Sequence, residues 1–179
     1  MVSIVSATAP HLRLEPGELR ARAARIRLVL TDVDGTLTDG GVYYSDRGEE
    51  LKRFDLRDGM GVERLREVGV ETAFITRESS PIVQRRADKL RVKVFAGLKD
   101  KRAALPEILR QFQVSMEQVA YFGDDVNDVA AMDAILPAGL VGAPADARAQ
   151  VLEHVHHRTD RPGGHGAFRD FAEWLIGLK

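Results

Sequence analysis

The 179-residue chain contains no cysteine. That absence excludes disulfides, thiolate metal sites and a cysteine nucleophile together, and it fits a reducing compartment. No charge of one sign dominates: 26 Lys and Arg stand against 27 Asp and Glu, a formal net charge of -1. Such a balance offers no overall attraction to nucleic acid or anionic lipid. No apolar run approaches the roughly 20 residues that a membrane-spanning helix needs. The start MVSIVSATAP lacks the basic stretch and long apolar core of a signal peptide. A soluble, cytoplasmic protein is the expectation. What is present, 44% hydrophobic and 30% charged residues, suits one globular domain of ordinary composition.

Residues 1–14 read as a loose tail. Pro16 suits a first helical turn, and GELRARAAR continues the helix to about Arg25 with a solvated arginine face. The chain is thus expected to divide into a tail and helix at 1–25 and a main domain at 26–179. From Ile26 onward, short apolar runs alternate with helical patterns. IRLVL, ETAFIT, RVKVFAG, VAYFGDD and GLVGAP read as strands. GMGVERLREVG, SPIVQRRADKL, DKRAALPEILRQF and DVNDVAAMDA read as helices, with Pro106 expected to put a kink or an early turn into the third. Alternation of this kind predicts an α/β fold, a parallel sheet with helices on both faces. Ligands bind such sheets beyond the carboxyl ends of the strands. One stretch breaks the alternation: VYYS and ELKRF flank a turn-forming SDRG, predicting a projecting β-hairpin at about 41–56. HVHHRT reads as a last strand, then comes the glycine-rich RPGGHG. A C-terminal helix follows in which Phe168, Phe171, Ala172, Leu175 and Ile176 recur at helical spacing and Trp174 is expected to pack.

Asp32 and Asp34 fall at the end of the first strand, with Gly35 allowing the chain to turn. Like charges this close stay ionised together only with a cation beside them or with one protonated. A hard divalent ion that prefers oxygen ligands, Mg²⁺, suits them. An EF-hand fails because no glutamate closes a 12-residue loop. A second acidic cluster, Asp124, Asp125 and Asp128, follows another apolar strand. With Thr76 at a third strand end and the basic KDK segment, these residues form a phosphate-handling set: cation, hydroxyl, ammonium and an attacking carboxylate.

LVLTDVDGTLTDGG, FIT, GLKDK and YFGDDVND resemble the four ordered motifs of the haloacid dehalogenase (HAD) type phosphohydrolases. The resemblance implies a HAD-like, Rossmann-like sheet and an aspartyl-phosphate intermediate. By it, Asp32 is the nucleophile, and Asp34 protonates the leaving alkoxide and later activates water. Thr76 and Lys101, in preference to Lys99, bind the phosphoryl group. Mg²⁺ is held by Asp32, the backbone carbonyl of Asp34, and Asp124. Asp125 and Asp128 are supporting acids, Asp128 alternatively orienting the lysine. Many members of this superfamily insert a cap domain between motifs; here the gaps hold only the hairpin, two helices and a strand. No cap fits, and the open mouth is left for a neighbouring subunit to cover.

TDGGVYYSDRGEELKRFDLRDGMG and GGHGAFRDF narrow the resemblance to the 3-deoxy-D-manno-octulosonate 8-phosphate phosphatase group, over Ile26 to Leu178. That implies a Mg²⁺-dependent homotetramer built through its hairpins, a place in lipopolysaccharide biosynthesis, and a C-terminal flap at Gly163, Gly164 and Gly166 that can reach a neighbouring site. The usual Thr-Gly-Arg of the second motif is Thr76-Arg77-Glu78 here. Glu78 and Lys89 are instead similar to the pattern of phosphatases for the nine-carbon keto-deoxy-nonulosonate 9-phosphate, whereas Arg57-Asp58-Gly59 is of the octulosonate type. GAPADA is similar to the phosphatase-like domain of some sialate cytidylyltransferases. Arg57, Glu78, Lys89 and Gly164 are thus the candidate substrate-binding residues, Arg57 pairing with a sugar-acid carboxylate or else bracing the hairpin base against Asp58. Glu78 would accept hydrogen bonds from hydroxyls or serve only as an acid at a helix N-terminus. The substrate is an eight-carbon or a nine-carbon sugar acid phosphate. Two other classes stay open: a regulatory subunit of a larger enzyme, and a receiver domain that keeps its phosphate. His154, His156 and His157 are read as edge-strand residues rather than a metal site.

Overall fold

The protein was analysed as a computed structural model, which describes Leu12 and residues 14–179; the expected tail lies almost wholly outside them. Helix α1 (Pro16–Arg25) leads into β1 (Leu28–Thr31), and the hairpin strands β2 (Thr38–Ser45) and β3 (Gly48–Phe54) follow. The rest alternates: α2 (Leu56–Glu67), β4 (Glu71–Ile75), α3 (Pro81–Leu90), β5 (Lys93–Phe95), α4 (Lys101–Phe112), β6 (Val119–Phe122), α5 (Val126–Ile135), β7 (Leu140–Ala143), α6 (Ala149–Leu152), β8 (His157–Arg158) and α7 (Ala167–Leu178). Six strands form one sheet in the order β5-β4-β1-β6-β7-β8, parallel throughout. The α/β architecture with helices on both faces is the one the alternation predicts.

Period-two alternation along each strand splits the core into two layers. Val29, Phe74, Ala120 and Phe122 meet Ala23 of α1, Val62 and Leu65 of α2, Val83 of α3, and Phe168 and Phe171 of α7. Leu28, Leu30, Ala73, Ile75 and Tyr121 meet Leu105 and Ile108 of α4, and Ala131, Met132 and Ile135 of α5. Each such side chain, once buried, contributes about 1.5–3 kcal/mol. The central strands are therefore buried on both faces, and side chains just beyond their carboxyl ends are held on a rigid frame.

Several elements differ from expectation. Helix α2 starts at Leu56 because the Asp55 carboxylate caps it by accepting from the Arg57 backbone N–H. Helix α4 runs through Pro106 without interruption. The strands expected at RVKVFAG and HVHHRT shrink to three and two residues, and α6 carries no clear periodicity in the sequence. The α1 arginine face is not wholly solvated: Arg22 donates to the carbonyls of Leu136 at 2.8 Å and Gly139 at 3.2 Å. The hairpin begins three residues earlier than expected, at Thr38. Tyr43, Tyr44 and Leu51 on it are exposed.

Candidate active site

Strand β1 is flanked by β4 on one side and β6 on the other; the chain runs on from β1 and β4 toward the β5 edge and from β6 toward the β8 edge. A crevice opens where such crossovers diverge. Asp32 follows β1, Thr76 follows β4, and Gly123 and Asp124 follow β6, so residues dispersed through the sequence meet on one rim. The resulting cleft, about 280 Å³, is lined by Asp32, Asp34, Thr76, Arg77, Glu78, Asp125, Val126 and Asn127.

Its floor is a charge network. Lys101, the first residue of α4, is 2% exposed and donates to Asp32 Oδ1 and to Asp128 Oδ1, both at 2.6 Å. Lys99 is exposed. Asp128 Oδ1 also accepts from the Tyr121 hydroxyl at 2.7 Å, and its Oδ2 accepts from the backbone N–H of Asp124 and of Asp125. All four lone-pair directions of Asp128 are thereby used, so it holds the lysine and the acidic loop. Asp124 accepts from the Thr36 hydroxyl at 2.6 Å. Gly35 has φ +90°, and a Cβ there would overlap the Asp124 carboxylate; only glycine lets the first acidic loop close against the second. Asp125 caps α5, accepting from the Val126 N–H at 2.7 Å. Thr76 is buried, and its Oγ1 accepts from the Glu78 N–H.

Burial, then the charge of Asp128, pushes the Asp32 carboxyl well above its ordinary range, against the pull of Lys101. Burial likewise raises Asp124 to about 6, opposed by the Thr36 hydroxyl. Burial alone would lower Lys101; the Asp32 and Asp128 carboxylates outweigh it and raise the ammonium. Three clustered carboxylates thus face one lysine. Asp32, Asp124 and Asp128 each present an oxygen within 4.8 Å of the others, and Asp34 Oδ2 is buried without a partner. Surplus buried anionic oxygen of this kind fits a hard divalent cation. Because Asp128 is fully engaged, Asp32 and Asp124 are the side chains with capacity left for it.

The family model for haloacid dehalogenase-like hydrolases matches residues 73–167. The chain belongs to that family. This hydrolase is 37% identical over 159 residues to the 3-deoxy-D-manno-octulosonate 8-phosphate phosphatase of Haemophilus influenzae, covering 88% of this chain and 87% of that protein. The cobalt-bound structure from that organism superposes with a TM-score of 0.83, covering 88% of this chain and 91% of the other. A structure of the Moraxella catarrhalis phosphatase with magnesium, phosphate and KDO has a TM-score of 0.84 at 32% identity, covering 91% and 92%. Within its family this hydrolase groups with those phosphatases and is a phosphoric monoester hydrolase. The readings as a regulatory subunit and as a receiver domain are thereby set aside.

The expected substrate-binding residues do not all meet. Glu78 lines the cleft. Arg57 instead pairs with Asp55 at 2.7 Å, not with Asp58, and does not line the cleft. Lys89 is exposed on α3, whose buried face is Val83, Ala87 and Leu90; it too lies outside the cleft lining of this subunit. Gly164 is buried, its N–H donating to the Thr36 carbonyl and its carbonyl accepting from Arg53 at 2.6 Å. A Cβ on Gly163 or Gly164 would collide with backbone at 35–39. The segment expected as a flexible flap therefore packs, in this subunit, onto the first acidic loop. The three tail histidines diverge. His154 pairs with Asp133 at 2.6 Å, His156 Nδ1 accepts from the Val141 N–H, and His157 stacks on Trp174 at 4.4 Å.

Thr36, Tyr121, Arg77 and Lys52 escaped the sequence reading. Thr36 follows the DVDG turn directly and Arg77 follows Thr76, so proximity to a motif was the available signal. Tyr121 is the one hydroxyl in an otherwise apolar strand. Lys52 had no signal beyond its place in a hairpin.

Proposed function

We propose that this hydrolase releases phosphate from 3-deoxy-D-manno-octulosonate 8-phosphate through an aspartyl-phosphate on Asp32, with Mg²⁺ as its ion. The observation that carries this reading is the buried contact of Asp32 with Lys101 at the floor of an acid-lined cleft. Asp32, Asp124 and the backbone carbonyl of Asp34 would hold the ion. When bound, it supplies charge neutralisation of the phosphoryl oxygens and of the clustered carboxylates.

The chain's own groups do the rest. Lys101 holds the Asp32 carboxylate in place and, with the Thr76 hydroxyl, binds phosphoryl oxygens. An Asp32 oxygen forms a bond to phosphorus while the ester P–O bond breaks, its electron pair leaving on the sugar oxygen. Asp34 gives that oxygen a proton. Asp34 then takes a proton from water, which attacks phosphorus and releases phosphate as the Asp32 oxygen departs.

Relatives named for that substrate, and the KDO-bound neighbour, support the substrate assignment. Arg77 is the cation among the lining residues and suits a sugar-acid carboxylate. Glu78 in the same lining supports a second substrate, the nine-carbon keto-deoxy-nonulosonate or sialic acid 9-phosphate, whose longer chain carries an additional hydrogen-bonding group for a carboxylate to accept from. The exposed Tyr43, Tyr44 and Leu51 support homotetramer assembly through the hairpins, with a neighbour covering the open cleft. No helix of the described residues is long and apolar enough to cross a membrane, which accords with work in the cytoplasm.

Phosphate release from the two substrates, with Mg²⁺ and with a chelator, tests this. The expected result is ion-dependent turnover with the eight-carbon ester preferred. Metal-independent turnover overturns the role of the ion, and preference for the nine-carbon ester reassigns the substrate.

A further inference from the structure

The hairpin carries two different faces. Tyr43 pairs with Leu51 across the strands, and both are exposed. Residues three apart on a regular strand point to opposite faces, yet Glu49 pairs with Lys52 at 3.3 Å. The register slips between Tyr43 and Tyr44, so that Leu51 and Glu49 oppose successive residues and Glu50 is the extra one. That bulge turns Glu49 away from the exposed face and toward the body of the protein. Glu50 stays at the hairpin turn, where it accepts from the Ser45 hydroxyl at 2.6 Å. Glu49 Oε1 accepts instead from the hydroxyl of Ser80, the residue that caps α3.

Ser80 closes the loop that carries Thr76, Arg77 and Glu78 from β4 to α3. The two ends of this loop are held differently. Thr76 belongs to the sheet: its N–H donates to the Phe95 carbonyl at 2.9 Å, and its carbonyl accepts from the Leu98 N–H at 3.1 Å. Arg77 and Glu78 are exposed on the cleft wall. The Glu78 carbonyl has one longer bond, from the Gly97 N–H at 3.3 Å, and behind it the chain is anchored at the buried Ser80. We infer that Glu49 is a positioning residue for substrate selection: through Ser80 it sets where Arg77 and Glu78 stand, and it leaves Thr76 and the phosphoryl site to the sheet. The inference rests on the reading that Arg77 and Glu78 meet the sugar-acid part of the substrate. A hydrogen bond to a carboxylate is charge-assisted, and burial of the hydroxyl keeps water from replacing it. The element bearing the exposed Tyr43 and Leu51 therefore also reaches the wall of the cleft that distinguishes one phosphate ester from another.

Exchanging donor and acceptor tests this. Ser80→Asp keeps a capping oxygen for α3, but it has no proton to give and repels Glu49. It is expected to raise KM for the preferred sugar-acid phosphate by about tenfold, while kcat/KM for p-nitrophenyl phosphate, which lacks the sugar acid, changes by less than about twofold. Glu49→Gln still accepts from Ser80 and should stay within about twofold of the parent on both esters. Combined with Ser80→Asp, its amide donates to the introduced carboxylate, so the double variant should recover most of the lost affinity. Glu49→Ala should reproduce the split between the esters, and it carries the test if Ser80→Asp does not fold. Equal effects on the two esters, no rise in KM, or a double variant no better than Ser80→Asp overturn the inference. Arg77→Ala and Glu78→Ala are the controls. If both lack the split, the reading that this loop meets the sugar acid fails; if they show it and the Ser80 and Glu49 variants do not, only the role of Glu49 fails.

Discussion

Among the described residues, two sets of side chains with metal-ligating chemistry behave oppositely. Asp32, Asp124 and Asp128 are up to 96 positions apart in sequence, yet their oxygens gather within 4.8 Å. His154, His156 and His157 are adjacent in sequence, yet each meets a separate partner: Asp133, the Val141 backbone and the Trp174 ring. Burial raises Asp32 and Asp124 because it penalises their charged forms, which a bound cation would stabilise. Burial lowers His156 and His157 to about 4, so these rings stay neutral packing groups. Proximity along a chain is thus a poor guide to a site when an irregular segment turns successive side chains apart. Strand ends of one parallel sheet are a good guide, because the frame aims them at one rim.

The contrast can be broken most severely at Asp32. Asp32→Asn is expected to cut steady-state phosphate release by about 10⁴-fold or more, with the fold retained by circular dichroism; the triple histidine variant should keep activity once folded. Retained turnover in Asp32→Asn would remove the acidic cluster from the chemistry. Next in size, Lys101→Met leaves Asp32 and Asp128 without their buried counter-charge. Urea unfolding of the metal-free protein should show a loss of about 3–5 kcal/mol, partly recovered by Mg²⁺. No recovery would mean that the ion does not bind these acids.

Two pH experiments of opposite sign sharpen the comparison. A histidine whose folded pKa is depressed to about 4 binds fewer protons folded than unfolded. Its contribution is intact above about 6.5 and is lost as pH falls toward 4. His156→Gln, which can still accept from Val141, should therefore gain stability relative to the parent between pH 7 and 4.5, by about 2 kcal/mol in urea titrations. Asp58 goes the other way. Burial raises it to about 6, and its Oδ2 is buried without a partner. The folded state holds this proton more tightly, so the parent is penalised as pH rises through 4 to 6. Asp58→Asn should be relatively stabilised at pH 8 and lose that advantage by pH 4, read from thermal midpoints. The smallest effect is expected at Arg57: Arg57→Ala should change kcat/KM by no more than about twofold, since Arg57 lies outside the cleft lining of its own subunit. A large rise in KM would show that a neighbouring subunit brings Arg57 to the substrate.

Asp32, Asp34, Thr76, Lys101 and Asp124 were legible because each ends an apolar strand run or opens a helix, and because their order resembles a known set of motifs. The projecting hairpin was legible from two strand-like halves around SDRG. Helix rotation was not. Whether Lys89 or Arg57 faces the cleft depends on how α3 and α2 lie on the sheet, which is set by Val83, Ala87 and Leu90 in one case and by Val62 and Leu65 in the other. Lys52 was hidden for a different reason, since a bulge breaks the alternation that would have assigned its face.

Local pattern alone therefore determined the alternation of strands and helices and the placement of acids at strand ends, because hydrophobic period and glycine turns act over a few residues. Only the tertiary structure decided that β1 lies between β4 and β6, that Asp128 is spent on Lys101 and Tyr121, and that Lys52 reaches Asp34. Those are through-space pairings between distant segments, selected by burial of both sheet faces and by the charges that burial forces to find partners.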